Sequence, residues 1–80
     1  MARCRAEFIV EPFHEGHPGS HVAACIAAAE NAGLEADVGP FGTSIEGEPG
    51  TILQALDAIV AAGLAAGASR ISVQMTVLAS

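Results

Sequence analysis

Apolar and polar positions alternate along four stretches of the chain and recur at helical spacing along two others. Arg5 to Phe13 is rich in β-favouring residues, with Phe8 and Val10 on one side and Glu7, Ile9 and Glu11 on the other, which predicts a first strand. His14 to Gly19 follows as a loop punctuated by Gly16, Pro18 and Gly19. Ser20 is placed to cap a helix through its hydroxyl, and Val22, Cys25, Ile26 and Ala29 continue at helical spacing. Gly33 suits the left-handed position just past the helix end. Leu34, Ala36 and Val38 then alternate with Glu35, Asp37 and Gly39 as a second strand with one buried and one wet face. Pro40 to Gly42 interrupts this strand as either a tight turn or a bulge. Thr43 to Gly47 is a short third strand in which Ile45 points away from Ser44 and Glu46.

Glu48 and Pro49 start a second helix, since proline is tolerated at the first helical position and a carboxylate there meets the positive end of the helix dipole. Its apolar stripe is Ile52, Leu56, Ile59 and Val60, and Gly67 ends it. Gly63 inside this helix costs up to about 1 kcal/mol relative to alanine, which points to a close backbone contact there. Ile71, Val73, Met75 and Val77 alternate with Ser72, Gln74, Thr76 and Leu78 as a last strand.

The order strand, helix, strand, strand, helix, strand, joined by right-handed crossovers, predicts an α+β fold. It is a ferredoxin-like βαββαβ sandwich, with a four-stranded antiparallel sheet and two helices on one face, residues 1–80 forming a single domain. In that topology the first and third strands are central neighbours and the last strand flanks the first. Phe8, Val10, Ile45, Val73 and Met75 are expected beneath the helices. The other face carries Glu7, Ile9 and Glu11 beside Ser44, Glu46, Ser72, Gln74 and Thr76, and is therefore polar and acidic.

Charge narrows what that face could meet. Three arginines, no lysine and nine acids give a net charge of −6, too few cations for a nucleic-acid backbone or an anionic membrane surface. A composition that is 51% hydrophobic excludes disorder. A chain of 80 residues buries only about 60% of its unfolded surface, so self-association or a covalent or metal staple is expected. Cys4 and Cys25 have no metal-type spacing, and Cys25 among alanines reads as a small buried hydrophobe. No signal peptide or membrane span is expected, which suggests a cytoplasmic protein.

Several acids, hydroxyls and amides on one pleated surface suit a cationic ligand with hydrogen-bond donors, although an antiparallel sheet commonly leaves one face simply solvated. His14, His17 and His21 raise the possibility of a metal loop, but no cysteine or paired carboxylate is positioned with them, and an exposed loop is the preferred reading. No catalytic constellation or phosphate-binding glycine pattern is visible, so no metal, cofactor or enzymatic activity is expected.

The run Pro40, Phe41, Gly42, Thr43, Ser44, Ile45, Glu46, Gly47 resembles the Pro-Met-Gly-Thr-x-x-Glu-Gly segment of the small thiamine-binding, or hydroxymethylpyrimidine/thiamine-binding, protein family. Ala6 to Phe8, Glu11 and Pro12, and Ala66 to Arg70 align as well, and the resemblance spans nearly the whole chain. Phe41 stands where the family commonly has methionine. The resemblance implies a ferredoxin-like fold, a homodimer or homotetramer formed through the sheets, and a thiamine or hydroxymethylpyrimidine ligand. Thiamine carries a thiazolium cation and an aminopyrimidine whose amino group donates hydrogen bonds. Glu46 or Glu7 would accept from the aminopyrimidine, Thr43 and Ser44 would meet ring nitrogens or the hydroxymethyl group, and Phe41 or Phe13 would stack on a ring. Glu11 and Gly42 complete the candidate site.

The expected function is non-enzymatic binding of thiamine or its pyrimidine portion at an intersubunit site on the sheet face, for vitamin supply or salvage. One alternative is a structural or regulatory oligomerisation module without a small-molecule ligand. A metal carrier using the histidine loop is a third.

Overall fold

The period-two pattern at the start of the chain resolves into β1 (Arg3–Glu11), in which Cys4, Ala6, Phe8 and Val10 are buried and the residues between them face outward. The computed structural model describes residues 2–12, 19–39 and 42–78. After β1 come α1 (Ser20–Asn31), β2 (Asp37–Val38), β3 (Thr43–Gly47), α2 (Pro49–Ala65) and β4 (Arg70–Leu78). The strands form one antiparallel sheet in the order β2-β3-β1-β4, the ferredoxin-like arrangement that the alternation predicts.

Both helices stop as their glycines suggest. Gly33 has φ +85 and its N–H donates to the Glu30 carbonyl, while Gly67 has φ +100 and donates to Leu64, each in the left-handed region that side-chain-bearing residues avoid. The start of α1 differs from the prediction. Gly19 occupies the cap, Ser20 is the first helical residue, and no side-chain cap bond forms. The second helix begins with Pro49 in its first turn as predicted, behind Glu48 in extended conformation.

The core lies between the sheet and the helix pair. Phe8 and Ile45 meet Ile52, Ala55 and Ile59 of α2 and Cys25 and Ala29 of α1. The helices cross closely because of Gly63. A Cβ there would sit 2.7 Å from the Cys25 sulfur and 2.9 Å from Ile71 Cδ1, so only glycine lets α2 approach α1 and the start of β4.

Two sequence expectations are corrected. The second strand is two residues long rather than spanning Leu34 to Gly39. Leu34 and Ala36 still pack against the core, whereas Val38 is exposed. Val73 and Met75 do share the helix side with Phe8 and Ala6, but they are 42% and 41% exposed rather than covered. The helices set this outcome, because α2 lies over β1 and β3 and touches β4 near its beginning, at Ile71.

Candidate ligand site on the open sheet face

Cross-strand pairing arranges the open face in rows. Glu7 pairs with Ser44 on one side and Gln74 on the other, and Ser44 pairs with Asp37. The resulting line, Asp37, Ser44, Glu7, Gln74, runs across all four strands with its side chains on the same surface. One pleat along, Arg5 lies between Glu46 and Thr76. In the other direction Ile9 pairs with Ser72, with Glu11 and Arg70 beyond them.

A concavity of about 470 Å³ lies over the central row, lined by Glu7, Ile9, Asp37, Gly39, Gly42, Ser44, Ser72 and Gln74, with Phe8, Thr43 and Val73 bordering it. That volume falls within the roughly 300–1,000 Å³ range of small-molecule sites. Gly42 helps to shape it, since a Cβ there would sit 3.1 Å from the Phe8 carbonyl oxygen and 3.3 Å from Ile9 Cγ1. The β2-β3 connection is equally tight. The Gly39 N–H donates to the Gly42 carbonyl at 2.7 Å, and this register brings Asp37 opposite Ser44.

The acids of this face are not equivalent. Glu46 is held by Arg5, whose Nε and terminal nitrogen both donate to one carboxylate oxygen, at 3.2 and 3.1 Å. Glu11 meets Arg70 at 3.5 Å, and its carbonyl accepts from the Ser69 N–H and hydroxyl. Glu7 and Asp37 form no ion pair among the described residues, and both line the concavity. They lie two strand spacings apart, about 10 Å between backbones, with the Ser44 hydroxyl between them.

Of the residues singled out from sequence, the structure brings together Glu7, Gly42, Thr43 and Ser44 at the concavity, and places Glu46 and Glu11 outside its lining, in ion pairs. Thr43 is 5% exposed and pairs with Phe8, so its side chain lies on the helix side of the sheet. Phe13 and Phe41 lie outside the described residues, as do His14 and His17. His21 is buried and bonded at Nε2 to the Pro12 carbonyl at 2.6 Å. A carbonyl only accepts, so Nε2 carries the hydrogen and is committed to holding the end of β1 against α1. No group of three or more potential metal ligands occurs among the described residues.

Asp37 is the site residue that sequence reasoning missed. Its place on the wet side of the second strand was legible, but its partner depends on the hairpin register, which an undecided turn or bulge leaves open.

The chain is thus a small α+β domain of the ferredoxin-like class with an acidic concavity on its uncovered sheet face. More narrowly, the chain belongs to the thiamine-binding protein family, whose profile matches residues 6–79. Among solved structures it is similar to a domain of unknown function from Bacillus cereus, at 23% identity and a TM-score of 0.70, covering 98% of this chain and 76% of that one. A Streptococcus pneumoniae protein is 20% identical with a TM-score of 0.72, covering 100% and 88%. A Thermotoga maritima protein described as a candidate thiamine biosynthesis/salvage protein is 21% identical with a TM-score of 0.66, covering 94% and 81%. At these identities the likeness establishes the fold. No curated protein matches the chain.

Proposed function

We propose that this protein binds thiamine, or its hydroxymethylpyrimidine portion, without transforming it, on the open sheet face, in the supply or salvage of the vitamin. The observation that carries this reading is the central row, with Glu7 and Asp37 outside any ion pair among the described residues and separated by Ser44 in a concavity of ligand size. One carboxylate accepts from the aminopyrimidine amino group and the other faces the thiazolium charge, both through charge-assisted contacts. Ser44 and Gln74 supply neutral donors and acceptors for the ring nitrogens and the hydroxyl. The family match over residues 6–79 supports the same ligand class.

A concavity on a sheet face is open on its outer side, and small-molecule sites bury most of their ligand. A second subunit placed over the face completes the enclosure. Two acidic faces repel one another, so the cation between them is what makes that closure favourable. A phosphorylated ligand would bring anionic oxygens beside Glu7 and Asp37, and the unphosphorylated vitamin is therefore preferred.

Titration calorimetry and thermal shift with thiamine, hydroxymethylpyrimidine and thiamine diphosphate test the reading. A ligand at 100-fold its Kd stabilises the fold by about 2.7 kcal/mol. Absence of heat and of any shift with all three compounds, in protein shown to be folded, would overturn it.

A further inference from the structure

The open sheet face is polar except at two positions. Among the described strand residues that point to that side, Ile9 and Leu78 alone are apolar, and Leu78 lies opposite Arg3 at the far end of the sheet. Ile9 is 42% exposed and lines the concavity, where the other side chains of that face, Glu7, Asp37, Ser44, Ser72 and Gln74, are charged or hydrogen-bonding. A lone half-exposed isoleucine is common on a protein surface. This one is kept bare by small neighbours inside a concave site. Ser72 is its partner on β4, and toward β3 it meets Gly42, where a Cβ would sit 3.3 Å from Ile9 Cγ1. Serine and glycine leave the top and one flank of the side chain uncovered, which gives the concavity an apolar floor.

We propose that Ile9 is the platform on which the ligand's pyrimidine ring lies flat, and that it fixes which way round the ligand binds, with the aminopyrimidine beside Glu7 and the thiazolium toward Asp37. This deepens the reading of the site as one for thiamine or its hydroxymethylpyrimidine portion, and rests on it. Glu7 and Ile9 are two residues apart on β1, so their side chains rise from the same face about 7 Å apart. Half a ring, an exocyclic amine bond and one hydrogen bond span that distance, so a ring over Ile9 presents its amino group to the Glu7 carboxylate. Glu11, at the same spacing on the other side of Ile9, is engaged by Arg70 at 3.5 Å. Asp37 is exposed on the edge strand, two strands from β1, and Ser44 is its ladder partner.

The two halves of thiamine differ in what they need. The aminopyrimidine is uncharged at neutral pH, has two apolar faces and directs its hydrogen bonds in the ring plane. It gains from a dry floor beneath it and a carboxylate at its edge. The thiazolium is a permanent cation with no N–H to donate, and an exposed carboxylate satisfies it without a fitted surface. The reverse orientation would set the cation on the isoleucine and leave both pyrimidine faces in water.

Calorimetry with thiamine and hydroxymethylpyrimidine on Ile9→Ala and Ile9→Val, together with nuclear Overhauser contacts in methyl-labelled protein saturated with thiamine, tests the platform. Ile9→Ala is expected to weaken both ligands by a similar factor, about five- to tenfold, from lost apolar contact with one ring face. Ile9→Val should restore most of that affinity, and Thr76→Val, on the same face but outside the concavity, should keep the wild-type value. The half-exposed position predicts a melting temperature near wild type for Ile9→Ala, so the loss is one of binding rather than of folding. In the thiamine complex the Ile9 methyl signals should move upfield under the ring current and show contacts to the pyrimidine protons. Unchanged affinity of Ile9→Ala, or Ile9 contacts to the thiazolium protons in place of the pyrimidine ones, would overturn the platform and leave thiamine binding standing. If Ile9→Ala does not fold, the contacts in the wild-type complex decide alone. A folded wild type that gives no heat with either compound removes the ligand reading and the platform with it.

Discussion

Arg5 reaches across the ladder between β1 and β3 and donates through two of its nitrogens to a single carboxylate oxygen of Glu46, at 3.2 and 3.1 Å. The two residues are direct cross-strand partners although 41 positions separate them. The pair is half-exposed, so it adds at most about 1 kcal/mol to stability, but it neutralises one of the acids in the family-like segment. The negative potential of the open face is thereby shifted toward Glu7 and Asp37.

Glu7→Gln and Asp37→Asn are each expected to weaken thiamine binding tenfold or more, about 1.4 kcal/mol, while leaving the melting temperature close to wild type. Glu46→Gln should weaken it less, because Arg5 already offsets that charge. Calorimetry on the three variants orders the acids directly, and an effect of Glu46→Gln exceeding both others would reverse the assignment.

Arg5→Gln releases Glu46 beside the concavity. The affinity for a cationic ligand should rise at low ionic strength, and the gain should shrink as salt screens it. Binding isotherms at low and high salt check this, and a gain that ignores salt would point to a packing change instead.

Gly63→Ala forces a methyl group against the Cys25 sulfur and Ile71 Cδ1. The expected cost is about 1–3 kcal/mol, read from urea unfolding. Cys25→Ala removes one of the two obstacles, so the double variant should lose less than the sum of the single changes.

Burial pushes the Cys25 thiol up from its ordinary pKa, and the thiol donates to the Ile59 carbonyl at 3.4 Å. Above about pH 8.5 the unfolded chain releases a proton that the folded chain retains, so this contribution to stability is full below that range and declines as pH rises through it. The wild type should lose stability relative to Cys25→Ala across that interval, and alkylation of Cys25 should follow global unfolding. Rapid modification of the folded protein would contradict the burial.

His21→Phe leaves the Pro12 carbonyl without its partner, a loss of about 1–3 kcal/mol. Thermal unfolding of the variant measures it. An unchanged midpoint would mean that water satisfies the carbonyl equally well.

Alternation and helical spacing alone determined the six elements, their order, and which residues of β1 and β3 face the helices, because these depend on local periodicity and on the rule that successive strand residues point to opposite faces. The polar character of the open face followed from the same rule. The tertiary structure decided which acids keep an unneutralised charge on that face, because pairing Arg5 with Glu46, Arg70 with Glu11 and Asp37 with Ser44 depends on register between segments distant in sequence or joined by an ambiguous turn. It also decided that Val73, Met75 and Val77, apolar and on the helix side, stay exposed. A strand's periodicity tells which way its side chains point, and only the position of the helices over β1 and β3 tells whether anything lies above them.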